Sequence, residues 1–287
     1  MKKQNKYLIP SLLIFFSLIF LVSAGFIIDY MLDSSTQKDQ YDALANMVEQ
    51  VQQQVQQQQP PLSTDETEPG YTLPPFIGNV SAYTEIKHPD TGETIRMLKE
   101  YAPIFQLNTD MVGWIKIPNT KLNYPVVQTP DEPNYYLKRD FYKKSSRHGT
   151  LYANELANIT VPSDNITIYG HNMADGSMLA VLHKYTSKDF YEANPYITFD
   201  TLYEHHTYQI MAVFETTDIV GDGFAYHMFV DGNIVSFPDF VAQCKKLSMY
   251  ETGVNAVYGD KLLTLSTCDN NVADSHGRFV VVAKRIS

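Results

Sequence analysis

The sequence predicts a mainly β domain, a closed barrel of short strands decorated by peripheral helices, behind a single N-terminal transmembrane helix. Three observations lead there. From Thr94 onward, short apolar runs rich in β-branched and aromatic residues recur between turn residues. Only a few stretches between those runs hold a helical period, and many short strands with few helices indicate a closed barrel. Residues Tyr7 to Ile28 carry no charge, and an apolar run of that length spans a bilayer.

The N-terminal elements follow in order. Lys2, Lys3 and Lys6 precede the apolar run, and Asp29 and Asp33 follow it. That asymmetry puts residues 1–6 in the cytoplasm, residues 7–28 across the cell membrane as a single pass, and everything after them outside. A cleaved signal peptide competes with this reading, since Val22-Ser23-Ala24 resembles a cleavage site, but the apolar run exceeds the usual signal core. Residues 29–59 read as an extracellular, Gln-rich amphipathic helix, with Tyr41, Leu44, Val48, Val51 and Val55 forming one narrow apolar seam. The seam suits pairing with a second copy or packing on the domain that follows. Residues 60–93 read as a flexible Pro-rich and acidic spacer.

Residues 94–287 form one globular domain. Ile95 to Gln106 reads as a helix, then Val112 to Ile117 as a strand ended by Pro118-Asn119-Thr120. Leu122 to Gln128 is a second strand, and Tyr124-Pro125 within it suits an edge or a bulge. Further strands are expected at 149–152, 166–169, 207–216, 262–267 and 279–284, with helices at 177–185, 188–194 and 237–250. With 22 Lys plus Arg against 32 Asp plus Glu, the net charge of −10 argues against nucleic acid as a partner.

The chemistry concentrates near the C-terminus. Lys261-Leu-Leu-Thr-Leu-Ser-Thr-Cys268 ends a strand on a cysteine, and Gly277-Arg278-Phe-Val-Val-Val-Ala283 opens the next on an arginine. A thiol where a strand meets a loop is partly open to solvent, and a guanidinium beside it favours thiolate and can hold an oxyanion. The chain has two cysteines, too few for a disulfide scaffold in an exported domain. Cys244 lies on the apolar face of the predicted helix with Phe237, Phe240, Val241 and Leu247, a core position; pairing with Cys268 would quench the nucleophile.

A nucleophilic thiol needs a base or ion-pair partner, and there are eight histidines. His171 stands at a strand end in Tyr169-Gly170-His171-Asn172-Met173, where Gly170 frees the backbone. His276 is the main decoy because it is near Arg278 in sequence. Adjacent His205 and His206 point to opposite faces of a strand and have no Cys or carboxylate cluster to complete a metal site, so a solvated turn fits them. His88, His148, His183 and His227 lack a supporting pattern, and surface or core roles suffice. No metal or cofactor is called for.

Thr264-Leu-Ser-Thr-Cys268 followed by Arg278 resembles the TLxTC and arginine signature of sortases, the cysteine transpeptidases of Gram-positive cell surfaces. Ile168 to Met178 is similar to the segment carrying their catalytic histidine. That stretch, with Val112 to Pro118, Asn123 to Gln128 and the helix before Tyr250-Glu-Thr-Gly-Val254, resembles class B sortases in particular.

The resemblance implies an eight-stranded sortase β-barrel in which Cys268 attacks the carbonyl of a C-terminal sorting motif on a secreted protein. It also implies that His171 protonates the leaving amine and that Arg278 positions substrate and stabilises the oxyanion. An amine of a peptidoglycan precursor, or alternatively a pilin lysine, resolves the acyl-thioester. Ser266 and Thr267 are candidate substrate donors, and Asp269, Asn270 and Asp274 are candidates for orienting His171. A pilus-type sortase and a cysteine hydrolase remain the competing functions.

Overall fold

The computed structural model describes residues 8–57, 82–217, 219, 221–268 and 276–287. The chain divides into two compact units, Met1–Asp42 and Ala43–Ser287. One helix, α1 (Leu8–Gln57), enters both. Its apolar segment, in which Leu13, Phe16, Phe20 and Ile27 are all exposed, is long and apolar enough to cross a membrane.

In the second unit, the α1 residues Leu44 and Val48 are buried. Ala45 and Val48 border one cavity with Tyr101 and Trp114, and Val51 borders another with Ile86 and Ala102. This part of the apolar seam therefore packs in cis. Two strands, β1 (Tyr83–Lys87) and β2 (Thr94–Leu98), pair as an antiparallel hairpin. The hairpin corrects two expectations: residues 83–93 belong to it rather than to a flexible spacer, and Ile95 to Gln106 is not one helix. Only α2 (Ala102–Phe105) is helical, because Pro103 suits a first turn and not a helix interior.

Eight strands form the main sheet: β3 (Met111–Lys116), β4 (Asn123–Val127), β5 (Leu151–Ala153), β6 (Asn165–Tyr169), β7 (Tyr196–Thr201), β8 (Thr207–Thr217), β9 (Leu262–Cys268) and β10 (Gly277–Arg285). They pair in the order β10-β8-β7-β3-β4-β5-β6-β9, and β9 pairs back onto β10, so the barrel closes. The β4–β5 and β6–β9 pairings are parallel and the others antiparallel.

Strand β7 had no counterpart in the sequence reading. Its alternation of buried Ile197, Phe199 and Thr201 is the signal that marks it. Strand β4 sits inside the ring rather than at an edge. It tolerates Pro125 because its pairing with β5 uses only Val126 and Val127, leaving Pro125 opposite Trp114 of β3 alone. Gly113 in β3 is required by close approach, since a Cβ there would lie 2.3 Å from the Asp200 carbonyl of β7.

Two further helices, α3 (Lys188–Ala193) and α4 (Ser236–Leu247), lie between strands, and the expected helix at 177–185 is a 3-10 segment over Leu179–Thr186. Phe237, Phe240, Val241 and Cys244 recur on one face of α4 and pack on Phe214, Leu262, Val280 and Val282. This covers the outer face of β8 to β10. Phe279 to Ala283 are accordingly buried on both faces, which explains their unbroken apolar run.

Candidate functional site

The β9–β10 register places Cys268 directly opposite Arg278. Both side chains point to the same face, and Nη1 of Arg278 lies 3.9 Å from Cys268 Sγ. The same nitrogen donates to the Gly277 carbonyl at 2.9 Å, which holds the guanidinium over the strand end. Cys268 is half-buried and its thiol is free. Cys244 is a free thiol too, fully buried under α4, where burial pushes its pKa up and keeps it inert.

Parallel pairing of β6 with β9 sets Tyr169 beside Ser266 and carries the chain on to Gly170 and His171 at the same end of the barrel. Gly170 is demanded by space rather than by conformation: a Cβ would fall 2.2 Å from Leu151 Cδ2 and 2.9 Å from Leu179 Cγ. Nε2 of His171 lies 2.7 Å from the Leu137 carbonyl oxygen. A carbonyl only accepts, so Nε2 carries the hydrogen and Nδ1 is the nitrogen left for exchange.

Cys268, Arg278 and His171 share one cleft of about 460 Å³, walled by Leu137, Tyr152, Leu156, Tyr169 and Met228 among others. Its tyrosines stay neutral at physiological pH. Burial pushes Tyr169 up to about 12, and burial also raises Tyr152, whose hydroxyl donates to Asn134 Oδ1 at 2.8 Å. Asn154 donates to the Tyr169 hydroxyl at 3.1 Å and to the His227 carbonyl at 3.1 Å, tying two walls together. In chemical terms the cleft holds a thiol, an adjacent fixed cation and a histidine with one nitrogen anchored on the backbone.

The remaining sequence candidates divide by placement. Ser266 is buried and its hydroxyl bonds the Tyr226 hydroxyl at 2.6 Å. Thr267 is buried on the opposite face of β9 from Cys268, its hydroxyl without a hydrogen-bond partner among the described residues. Asp269, Asn270 and Asp274 lie outside the described residues. His276 is exposed.

The other histidines are more committed than their sequence suggested. His148 is buried against Asp175, with Nε2 to Oδ2 at 3.1 Å, and His88 accepts from the backbone amides of Asp90 and Thr91. His205 sits between Asp200 and Glu100, at 2.8 and 3.4 Å, and His206 is buried, so the pair is not a plain solvated turn. Among the described residues no grouping could hold a metal ion.

Asn134, Leu137, Tyr152 and Asn154 reach the cleft without any mark in the sequence. Equally unmarked is His183, which does not line the cleft but whose Nε2 lies 3.1 Å from the Cys268 carbonyl oxygen. Sequence reading left it to a surface or core role because no local pattern supports it.

Comparison with known proteins shows the family. The sequence pattern of the sortase domain matches residues 115–286. Sortase B of Listeria monocytogenes is 34% identical over 188 residues, covering 66% of this chain and 74% of the relative. Sortase B of Staphylococcus aureus is 34% identical over 190 residues, 65% of this chain and 75% of that protein. A solved Staphylococcus aureus sortase B–substrate complex superposes with a TM-score of 0.68 at 25% identity, covering 89% of this chain and 99% of the other.

Proposed function

Since the chain belongs to the sortase family of cysteine transpeptidases and is similar to sortase B proteins, we propose that it is a membrane-anchored enzyme joining secreted proteins to an amine of the cell wall. The single observation that carries this reading is the Cys268 thiol set 3.9 Å from the Arg278 guanidinium, in the cleft that also holds His171.

In the proposed reaction the Cys268 thiolate adds to the backbone carbonyl of a C-terminal sorting motif, forming a C–S bond while the carbonyl electrons move onto oxygen. Arg278 stabilises that oxyanion and favours thiolate before attack. The tetrahedral adduct collapses, the peptide C–N bond breaks, and His171 Nδ1–H protonates the departing amine. Throughout, the Leu137 carbonyl holds Nε2–H and with it the ring plane. An incoming amine then attacks the acyl-thioester, neutral His171 takes its proton, and thiolate leaves as the new amide forms. Ser266 lines the cleft and shares a hydrogen bond with the Tyr226 hydroxyl in which either oxygen can donate, so with Thr267 it remains a candidate donor to substrate.

The exposed apolar part of α1 supports a retained anchor. A peptidoglycan amine is the proposed acceptor, and a pilin lysine is the alternative. Incubation of the full chain with a labelled sorting peptide, with and without a glycine-type amine, is the test. An acyl adduct on Cys268 by mass spectrometry and diversion of product from acid to amide are expected. A lysine-only acceptor profile would favour pilin joining, and an unchanged acid yield at saturating amine would make the enzyme a hydrolase.

A further inference from the structure

The residue that bears the thiol has its own carbonyl held by two side chains. Nε2 of His183 lies 3.1 Å from the Cys268 oxygen, and Asn172 Nδ2 donates to the same atom at 3.4 Å. Because a carbonyl cannot donate, His183 is the Nε2–H tautomer. Its ring also lies against Phe279, centroids 4.6 Å apart and planes at 39°, and Phe279 follows Arg278 in β10. One side chain therefore touches both strands that present the site.

We propose that His183 is a positioning residue for the nucleophile, fixing the peptide plane of Cys268 at the end of β9 so that Sγ faces Arg278 and the cleft. The proposal rests on the reading of Cys268 as nucleophile. Its physical basis is that the strand pairing fixes the Cα of Cys268 on the β10 side, while the direction of the carbonyl fixes the remaining rotation about that Cα. With the carbonyl released, the thiol samples orientations away from the guanidinium.

The segment bearing His183 is built to hold this place. It begins at His171, whose carbonyl accepts from the Leu179 amide at 3.0 Å, and a bridge between Asn172 and Met178 closes the loop between them. Met178 is buried at φ +55°, a conformation that L residues resist and that only surrounding contacts maintain. The Leu179–Thr186 turn then buries Leu179, Val181, Leu182 and Tyr185, leaving His183 half-buried against Cys268. The proposed acid and the positioning residue thus sit at the two ends of one locked segment.

Two variants of the full chain in detergent separate the hydrogen bond from the packing. His183→Phe keeps an aromatic ring on Phe279 and removes the donor, whereas His183→Gln keeps an N–H donor. The expected result for His183→Phe is a kcat about three- to tenfold lower with KM unchanged, the worth of one hydrogen bond. Alkylation of Cys268 by iodoacetamide, read by mass spectrometry on the peptide that contains it, slows by a similar factor, and His183→Gln recovers most of both.

Wild-type kcat and alkylation in His183→Phe overturn the proposal, as does a His183→Gln variant no better than His183→Phe. Nitrogen-15 NMR of the unmutated protein gives a check independent of variant folding: a protonated Nε2 on His183 is expected, and a bare Nε2 refutes it. Peptide cleavage that survives Cys268→Ala would instead sink the reading of the site itself, whatever His183 does.

Discussion

Cys268 and Arg278 form a pair whose two members fail differently when changed. Cys268→Ala removes the proposed nucleophile, and peptide cleavage is expected to fall by at least about a thousandfold. The melting temperature stays close to that of the parent because the side chain is half-buried at a strand end. Arg278→Lys keeps the charge but loses the planar guanidinium whose Nη1 reaches both the Gly277 carbonyl and the thiol. A drop in kcat of about a hundredfold is expected, measured with the same labelled peptide; parental kcat would show that charge alone suffices.

These two residues, with His171, were legible in the sequence because each lies where an apolar run meets a loop, and adjacent strands had to bring the first two together. His183 and Asn134 were not. Their contacts to the site depend on how a 3-10 turn and a loop fold back across the barrel, and no local pattern encodes that.

Secondary-structure elements show the same division between local and distant causes. The helix α4 was readable because its apolar residues recur every three or four positions. Strand β7 was hidden by the Asn194-Pro195 break before it, and the 95–106 segment read as helical until its pairing with Tyr83–Lys87 was known.

The seam on α1 makes a quantitative expectation. Leu44 is fully buried in the second unit, so Leu44→Ala should cost about 2–5 kcal/mol in denaturant unfolding of the full chain. A cost near zero, or one that depends on protein concentration, would favour pairing of copies instead.

The β7–β8 turn carries a pH dependence. A hydrogen bond to Asp200 is the largest influence on His205 and raises its pKa above 6.5 in the folded chain; burial opposes this, and the charges of Asp200 and Glu100 add to it. A raised histidine contributes stability that is complete below about pH 6.5 and disappears as pH rises through the folded value. His205 is 54% exposed, so screening limits the contribution to about 0.5 kcal/mol. His205→Gln should therefore lower the melting temperature at pH 5.5 and leave it unchanged at pH 9. A deficit that grows with pH would refute the assignment.

At the scale of the whole molecule, the apolar part of α1 is long enough to cross a membrane, and the net charge of the chain is −10. The proposed topology puts Cys268 on the outer side. A membrane-impermeant maleimide should label it in intact spheroplasts, while Cys244, fully buried, stays unlabelled until the protein is denatured. Labelling of Cys268 only after lysis would reverse the orientation.

Closure of the ring by β6 and β9 also has a consequence in time. Asn172 and Cys268 are 96 residues apart in the chain, and β9 and β10 are its last strands. A polypeptide made from its N-terminus exposes the β6 edge long before the strand that completes it exists. Joining sequence-distant strands is also the slow part of folding such a topology. The thiol can meet its arginine in the local β9–β10 pairing, but it meets His171 only in the step that seals the barrel, so on the proposed reading a partly folded chain has a nucleophile without its acid.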